Sequence, residues 1–374
     1  MNPVSILRQR RALRWSVPTC IAGVIALAAA GVFTAEATSE KLPSKSAATL
    51  LADVQSARVT GFSGTIVAQM SLGLPSLPAI AGNGGQASLP ALLSGSHTMR
   101  FWYDGPERQR LALLGTTNET DLFHSGRDLW QWDSDGHIAT HTLLPAGHHG
   151  PMTVPTGRTA PATSPDLTPQ QIADRLIKAI TPTTVVTVAA NRRVAHRAAY
   201  ELVLTPRDAT TLIGSVRIAV DGSTKLPIGV QVFARDNTSP AIDVSFSEVT
   251  FRRPPASNFT FTPPPGASVH QDGAVKPQGP TSEHPTKQAP QASPEAATII
   301  GSGWTTIAEY RATPAQIAKA GGPLLSQLKA VSGPWGHGRL LESALLSALV
   351  TDDGRVFAGA VDASALYAAA TTHK

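Results

Sequence analysis

Residues 216–235, VRIAVDGSTKLPIGVQVFAR, contain two runs in which apolar and polar side chains alternate, separated by a short polar turn. Val216, Ile218 and Val220 form the apolar series of the first run, and the second run repeats the pattern after Pro227. A period of two places these side chains on one face of a strand, and Asp-Gly is a preferred turn sequence. The stretch therefore predicts an antiparallel β-hairpin with one apolar face.

Short runs of the same kind lie on both sides of this hairpin. Between residues 96 and 144, five runs are separated by Asp-Gly, Gly or Ser-Gly turns about ten residues apart, which is typical of a curved antiparallel sheet. Further strands are predicted at 183–194, 198–206 and 241–251. In the last of these, the apolar series jumps from Phe246 to Val249, which predicts a β-bulge near Glu248.

Two segments have helical rather than strand periodicity. Residues 44–58 predict an amphipathic helix with Ser44 or Ser46 as its N-cap, and residues 168–180 predict a second helix that interrupts the sheet. The predicted fold class is therefore α+β: an open antiparallel half-barrel wrapped around helices, at 44–265.

The rest of the chain divides by composition. Residues 266–297 are rich in Pro, Gln and Ser and predict a flexible linker, and residues 298–374 predict a small α+β C-terminal module. In that module we expect a helix over 313–331, a hairpin turned at Asp353-Gly354 and a final short helix.

The N-terminus has the pattern of an export signal. Residues 1–37 combine a basic start, an apolar run and an Ala35-x-Ala37 motif. The run is also close to the roughly 20 residues that span a bilayer, so a cleaved signal peptide and an uncleaved anchor both remain open. In either case we expect an extracytoplasmic protein of the cell envelope.

Charge and cysteine content exclude several classes of protein. The formal net charge is +5, but four arginines before Ala37 against Glu36 account for +3 of it, which argues against nucleic-acid binding. Cys20 is the only cysteine and lies in the N-terminal apolar run, so disulfides and thiolate metal sites are excluded from the folded part.

Several of these features also occur together in a known family. The order of elements, the strand–Asp221–Thr224–Pro227–strand pattern and the closing FTPPPGA of residues 261–267 resemble the LolA-like and RseB/MucB-like envelope proteins, lipoprotein carriers and sigma-factor regulators. The resemblance implies a half-barrel whose concave apolar face takes up acyl chains. The linker and the C-terminal module look more like the RseB layout than like a lone carrier.

The candidate ligand-binding residues are those of the alternating apolar series, which either line a cavity or pack on the predicted helices. They are Met99, Phe101, Tyr103, Leu111, Leu113, Trp130, Trp132, Tyr200, Leu202, Leu204, Val216, Ile218, Val230, Val232, Ile242, Val244 and Phe246. Burial of a methylene stabilises by about 0.8 kcal/mol, so an acyl site needs no catalytic group.

No catalytic residue, metal site or cofactor is predicted, because GxSxG, HExxH and P-loop motifs are absent. The favoured function is non-enzymatic binding of lipid or lipoprotein acyl chains, as a carrier or chaperone at the membrane surface. The alternative is an RseB-like sensor that regulates a membrane partner, such as an anti-sigma factor, through its C-terminal module. An envelope hydrolase is the third hypothesis.

Overall fold

The computed structural model describes residues 42–74, 94–144, 178, 180–272, 297–313, 317, 325 and 327–372. In chain order the elements are α1 (Ala47–Ser56), β1 (Phe62–Met70), β2 (Gly95–Tyr103), β3 (Arg108–Leu114), β4 (Glu119–Ser125), β5 (Asp128–Asp133), β6 (Ile138–Leu143), β7 (Thr184–Val194), β8 (Arg197–Pro206), β9 (Ile213–Asp221), β10 (Pro227–Ala234), β11 (Pro240–Thr250), β12 (Ser268–Asp272), β13 (Thr298–Ile300), β14 (Ile307–Arg311), β15 (Lys329–Gly333), β16 (Gly336–Glu342), β17 (Ser347–Thr351), β18 (Arg355–Gly359) and α2 (Ala363–Thr372).

Twelve of these strands form one open sheet. Their order is β12-β6-β5-β4-β3-β2-β1-β11-β10-β9-β8-β7, and the two end strands do not pair with each other. The strands expected between residues 96 and 144 are β2 to β6, and all of them pair as antiparallel neighbours. The predicted open sheet is thus confirmed for the described residues, and its neighbouring strands are antiparallel except for β12 and β6.

The hairpin at 216–235 is also confirmed, as β9 and β10. Val230 lies opposite Ile218, and Val232 opposite Val216, so the apolar series of both strands share a face. The turn between the strands is organised by Asp221, whose Oδ2 accepts hydrogen bonds from the backbone N–H (2.7 Å) and the hydroxyl (2.8 Å) of Thr224. Local capping of a turn by an Asp side chain is a common reason for its position before Gly.

The centre of the sheet is the pairing of β1 with β11. Thr65 pairs with Glu248 and Ile66 pairs with Phe246, so Ser247 between them is an extra residue in β11. This confirms the predicted bulge. Gly64 lies beside it, and a Cβ atom there would stand 2.5 Å from the carbonyl oxygen of Glu248. Only glycine permits this close approach of the two strands.

Helix α1 begins as the sequence predicts. The Ser46 side chain accepts a hydrogen bond from the Thr49 N–H (3.1 Å) and caps the helix, and Leu50 is fully buried against the sheet. The second predicted helix lies mostly outside the described residues, although Lys178 and Ile180 are helical. Whether the sheet wraps around both helices therefore stays a prediction.

Six further strands form a second sheet, in the order β13-β14-β18-β17-β16-β15, against which α2 packs. The hairpin turned at Asp353-Gly354 is confirmed as β17 and β18. The helix expected over 313–331 is corrected at its end, because Lys329 already begins β15 and pairs with β16. A tight turn from Gly333 to Gly336, rather than helical periodicity, decides the structure of this stretch.

The expected linker over 266–297 is likewise corrected at its start. Residues 268–272 form β12, which pairs in parallel with the exposed edge of β6. Main-chain hydrogen bonds to an open strand edge need no apolar side chains, so the composition of the segment gives no sign of them. Residues 273–296 and the N-terminal segment 1–37 lie outside the described residues. In the part of the chain that is described, no helix is long and apolar enough to cross a membrane.

The C-terminal module is docked on the large sheet. The indole Nε1 of Trp304 donates to the Thr184 hydroxyl at 2.7 Å, and the Thr211 hydroxyl donates to the Ala360 carbonyl at 2.7 Å. Trp304 and Leu345 belong to the same buried cluster as the strands β8 to β10. The module and the sheet therefore share one hydrophobic core at this contact.

Candidate functional site

Strand register shows which predicted binding residues share a face, because directly opposed side chains point to the same side of a sheet. One such row runs from Leu202 through Ile218 and Val230 to Val244. Similar rows continue the same face across the sheet. Fifteen of the predicted residues share it: Met99, Phe101, Tyr103, Leu111, Leu113, Tyr200, Leu202, Leu204, Val216, Ile218, Val230, Val232, Ile242, Val244 and Phe246. We call this the apolar face.

Trp130 and Trp132 are not brought together with the others. Trp130 lies opposite Phe123, which in turn lies opposite Arg110, whereas Leu111 belongs to the apolar face. The two tryptophans therefore point to the opposite face of the sheet. Alternation alone could not reveal this, because β5 carries apolar side chains on both of its faces.

The opposite face is covered there by the segment that follows β11. The ring centre of Phe261 lies 4.9 Å from the ring centre of Phe123, 5.5 Å from that of Trp130 and 5.9 Å from that of Trp132. Trp130 also stacks on His141 at 4.3 Å. Phe261 belongs to the FTPPPGA stretch, so that stretch serves as a cover for these aromatic side chains.

Two buried clusters occupy the apolar face. In the first, the ring of Phe62 lies 5.6 Å from Phe101, 5.4 Å from Tyr103 and 6.1 Å from Phe246. In the second, Leu50 of α1 packs with residues of β8, β9 and β10. The apolar face is therefore packed against α1 and against its own side chains in this conformation.

A narrow gap between side chains lies beside the central seam of the sheet. It is lined by Ile66, Ile228, Val244, Ser245 and Phe246 and has no room for a water molecule. Ligand pockets in proteins usually have volumes of roughly 300–1,000 Å³. A long acyl chain thus needs a wider opening than this conformation provides.

Residues missed by the sequence analysis contribute to this face. Phe62, Ile66 and Ile228 are buried in the first cluster, and Trp304 and Leu345 complete the second. Phe62 and Ile66 lie in a strand with period-two alternation, so the signal for them was present. Nothing in the local sequence indicates that Trp304 packs on a different sheet.

Acidic and basic side chains lie on the opposite face near Trp102. Arg110 donates to Asp121 at 2.8 Å, approaches Glu119 at 3.4 Å and stacks over Trp102 with its guanidinium carbon 4.7 Å from the ring centre. A hydrogen bond to Asp121, then burial and the Asp121 charge, raise the pKa of Glu119 to about 7, although Arg110 and Arg100 oppose the rise. Glu119 therefore keeps its proton in a large fraction of molecules near neutral pH.

A second ion pair supports the β9–β10 turn. Arg197 donates to both carboxylate oxygens of Asp221, at 2.5 and 3.0 Å, and its guanidinium stacks over Phe251. Burial raises the pKa of Asp221, but the hydrogen bonds from Arg197 and Thr224 outweigh it and bring the pKa below its usual value. Within the described ranges, no group of three His, Cys, Asp or Glu side chains is arranged to share a metal ion.

Comparisons with known proteins give similar solved structures. Neither a family model nor a curated protein matches the chain. The complex of MucA and MucB from Pseudomonas aeruginosa contains a chain that is 14% identical, with 86% of this chain and 94% of that chain covered and a TM-score of 0.41. An uncharacterized conserved protein from Thermus thermophilus is 10% identical, with 60% and 98% covered and a TM-score of 0.33.

A LolA superfamily protein from Nitrosomonas europaea is 13% identical, with 58% of this chain and 99% of that chain covered and a TM-score of 0.22. The chain is thus similar to solved structures of MucB and of a LolA superfamily protein, the two groups that its sequence resembles.

Proposed function

We propose that this chain is an exported, non-enzymatic binding protein of the cell envelope that takes up the acyl chain of a lipid or lipoprotein on the apolar face. The N-terminal segment either directs its export or anchors it to the membrane. The resemblance of its sequence to lipoprotein carriers suggests this class of ligand. The observation that supports it best is the continuity of the apolar face across an open sheet, from Leu113 to Leu204.

Binding on this face requires that side chains now packed together separate. Helix α1 is the natural element to move, because it has only ten residues and only Leu50 and Ala52 of it are buried. An acyl chain gains about 0.8 kcal/mol for each methylene withdrawn from water, so a chain of ordinary length offsets the loss of one such helix contact. The gap beside Val244 is where we place the start of this opening.

Photo-crosslinking tests the proposal directly. The full exported chain is incubated with palmitic acid that carries a terminal diazirine, irradiated and digested, and the adducts are located by mass spectrometry. We expect adducts in β1, β2, β10 and β11. Val244→Trp, which places a bulky ring at this gap, should reduce the yield at least fivefold.

Val185→Trp is the matched control, because Val185 is exposed and lies at the edge of the sheet. Should Val244→Trp fail to fold, Val244→Phe makes the same test with a smaller side chain. Adducts confined to the opposite face, or equal yields from both tryptophan variants, would contradict the proposal.

A second candidate function is regulation of a membrane partner, such as an anti-sigma factor, by the C-terminal module. The observation that favours it is the shared core, in which Trp304 and Leu345 of the module pack with Val216 and Val230 of the apolar face. A ligand that rearranged this cluster would disturb the docking of the module. A pull-down of the partner by the whole chain, with and without palmitate, distinguishes the two functions. If the chain is a sensor, palmitate should change the amount of partner captured. If it is a carrier, palmitate should leave that amount unchanged.

A further inference from the structure

Two lysines approach the same aromatic ring at one end of the apolar face. The Nζ of Lys45 lies 5.7 Å from the ring centre of Tyr200, and the Nζ of Lys225 lies 5.4 Å from it. Lys45 precedes α1, and Lys225 lies in the turn between β9 and β10, so the two ammonium groups come from distant parts of the chain. Tyr200 itself is buried on the apolar face.

The backbone fixes the position of Lys225. Its φ of +62° lies in the left-handed region, which is uncommon for a residue with a side chain. Its N–H donates to the Asp221 carbonyl at 3.0 Å, and its ammonium group donates to the Gly222 carbonyl. A turn that is otherwise stabilised by Asp221 thus directs a lysine towards Tyr200.

Positive charges outnumber negative charges at this end of the apolar face. Lys45 forms an ion pair with Asp53, and the carboxylate of Asp221 is occupied by Arg197. Among the described residues, no carboxylate forms an ion pair with Lys225, which retains donor capacity beyond its bond to Gly222. Burial, and then the positive charge of Lys45, lower the pKa of Lys225, although the charges of Asp53 and Asp221 oppose the fall. Lys45, Lys225 and Arg197 thus bring three positive charges to this end of the face, against the two carboxylates of Asp53 and Asp221.

We propose that Lys45, Lys225 and the ring of Tyr200 form a site for a phosphate-type anion at the end of the apolar face. An anion there would accept hydrogen bonds from both ammonium groups, which are stronger than those between neutral groups. Tyr200 is next to Leu202 and Val220 on the apolar face, so a bound headgroup has an apolar surface directly beside it. The ligand class is then an anionic amphiphile, and this part of the inference rests on the proposed function.

Two probes distinguish the source of the phosphate. Inorganic phosphate is titrated into the whole chain labelled with ¹³C at lysine, and NMR follows the side-chain signals of Lys45 and Lys225. In parallel, the chain is sedimented with vesicles of phosphatidylglycerol and phosphatidylcholine, or of phosphatidylcholine alone. We expect shifts of both lysine signals and preferential sedimentation with the anionic vesicles.

Variants assign the binding to these residues. Lys45→Gln/Lys225→Gln should weaken binding at least tenfold, whereas Lys45→Arg/Lys225→Arg should retain it within threefold. The control Arg58→Gln/Arg193→Gln removes two exposed positive charges and should leave binding within threefold of the wild type. Circular dichroism establishes that each variant is folded.

Each outcome bears on the site. Phosphate binding without vesicle binding supports the site with a free anion as its ligand, and binding of both supports a lipid headgroup. Absence of both, or equal losses in the glutamine pair and in the control pair, would overturn it. Because inorganic phosphate has no acyl chain, these results are separate from the crosslinking test, and either proposal can fail while the other stands.

Discussion

Asp221 connects the turn between β9 and β10 with the neighbouring strand β8. Its side chain is 1% exposed and accepts hydrogen bonds from Arg197, Ser223 and Thr224. The sequence indicated only that this residue precedes glycine in a turn, because Arg197 lies 24 positions away. The ion pair depends on the pairing of β8 with β9 and could not be deduced from local spacing.

Asp221→Asn should destabilise the fold by about 3 kcal/mol at pH 7, because it removes one partner of a largely buried ion pair. Urea unfolding followed by circular dichroism measures the loss, and Asp236→Asn, at an exposed carboxylate, is the control. The pKa of Asp221 is lowered in the folded state, so its contribution is present above its ordinary pKa near 4 and is lost as the pH falls through the lower folded value. The difference between wild type and variant should therefore shrink below about pH 4; a difference that grows there would contradict this account.

Glu119 predicts the opposite pH dependence. Its folded pKa of about 7 exceeds the ordinary value of 4.5, so the folded state binds the proton more tightly, and stability falls as the pH rises from 4.5 through 7. Glu119→Gln should weaken this fall, because the amide can donate to Asp121 at every pH. Urea midpoints at pH 5 and pH 8 measure the effect. If the exposed control Glu248→Gln changes the profile as much, the proton on Glu119 is not its cause.

At the scale of elements, the alternation of apolar and polar side chains predicted where the strands lie. It was less informative about which face of a strand packs against which part of the protein. The hairpin of β9 and β10 and the bulge in β11 followed from the spacing of apolar side chains. Trp130 and Trp132 also alternate, yet the strand register places them on the opposite face, where Phe261 from a distant segment covers them. Period-two patterns identify sets of residues that share a face, but the packing partner decides which set belongs to which core.

The cover over the opposite face can be tested at Phe261. Phe261→Ala should destabilise the fold by about 2 kcal/mol, since a half-buried ring that contacts three aromatic side chains is lost. The emission of Trp130 and Trp132 should shift to longer wavelength as water reaches them. Fluorescence and urea unfolding measure both effects, and Thr262→Ala, at an exposed neighbour, should produce neither. An unchanged spectrum would show that the segment does not shield these rings.

At the scale of the whole molecule, the two sheets meet through Trp304. Composition placed a boundary near residue 297, but it contained no information about docking, because the contact joins side chains from three separate parts of the chain. Trp304 is 6% exposed and is hydrogen-bonded to Thr184. The C-terminal module is therefore attached to the same core as the proposed binding face.

Trp304→Ala should destabilise the protein by about 3 kcal/mol and make the module unfold separately from the large sheet. Hydrogen exchange read by mass spectrometry should show faster exchange in β13 and β14 and little change in β2 to β6. Tyr310→Ala, at a ring that is 44% exposed, is the matched control. A single cooperative transition in Trp304→Ala would indicate that other contacts suffice to join the two parts.

The pairing of Ser63 with Thr250 at the centre of the large sheet has a consequence for biogenesis. A polypeptide that is threaded through a translocon from its amino terminus presents β1 long before β11 emerges on the far side. During that interval one edge of β1 is an open template for other chains. Under the proposed export, the two halves of the large sheet can therefore join only after β11 has crossed the membrane, and this edge of β1 stays unpaired until then.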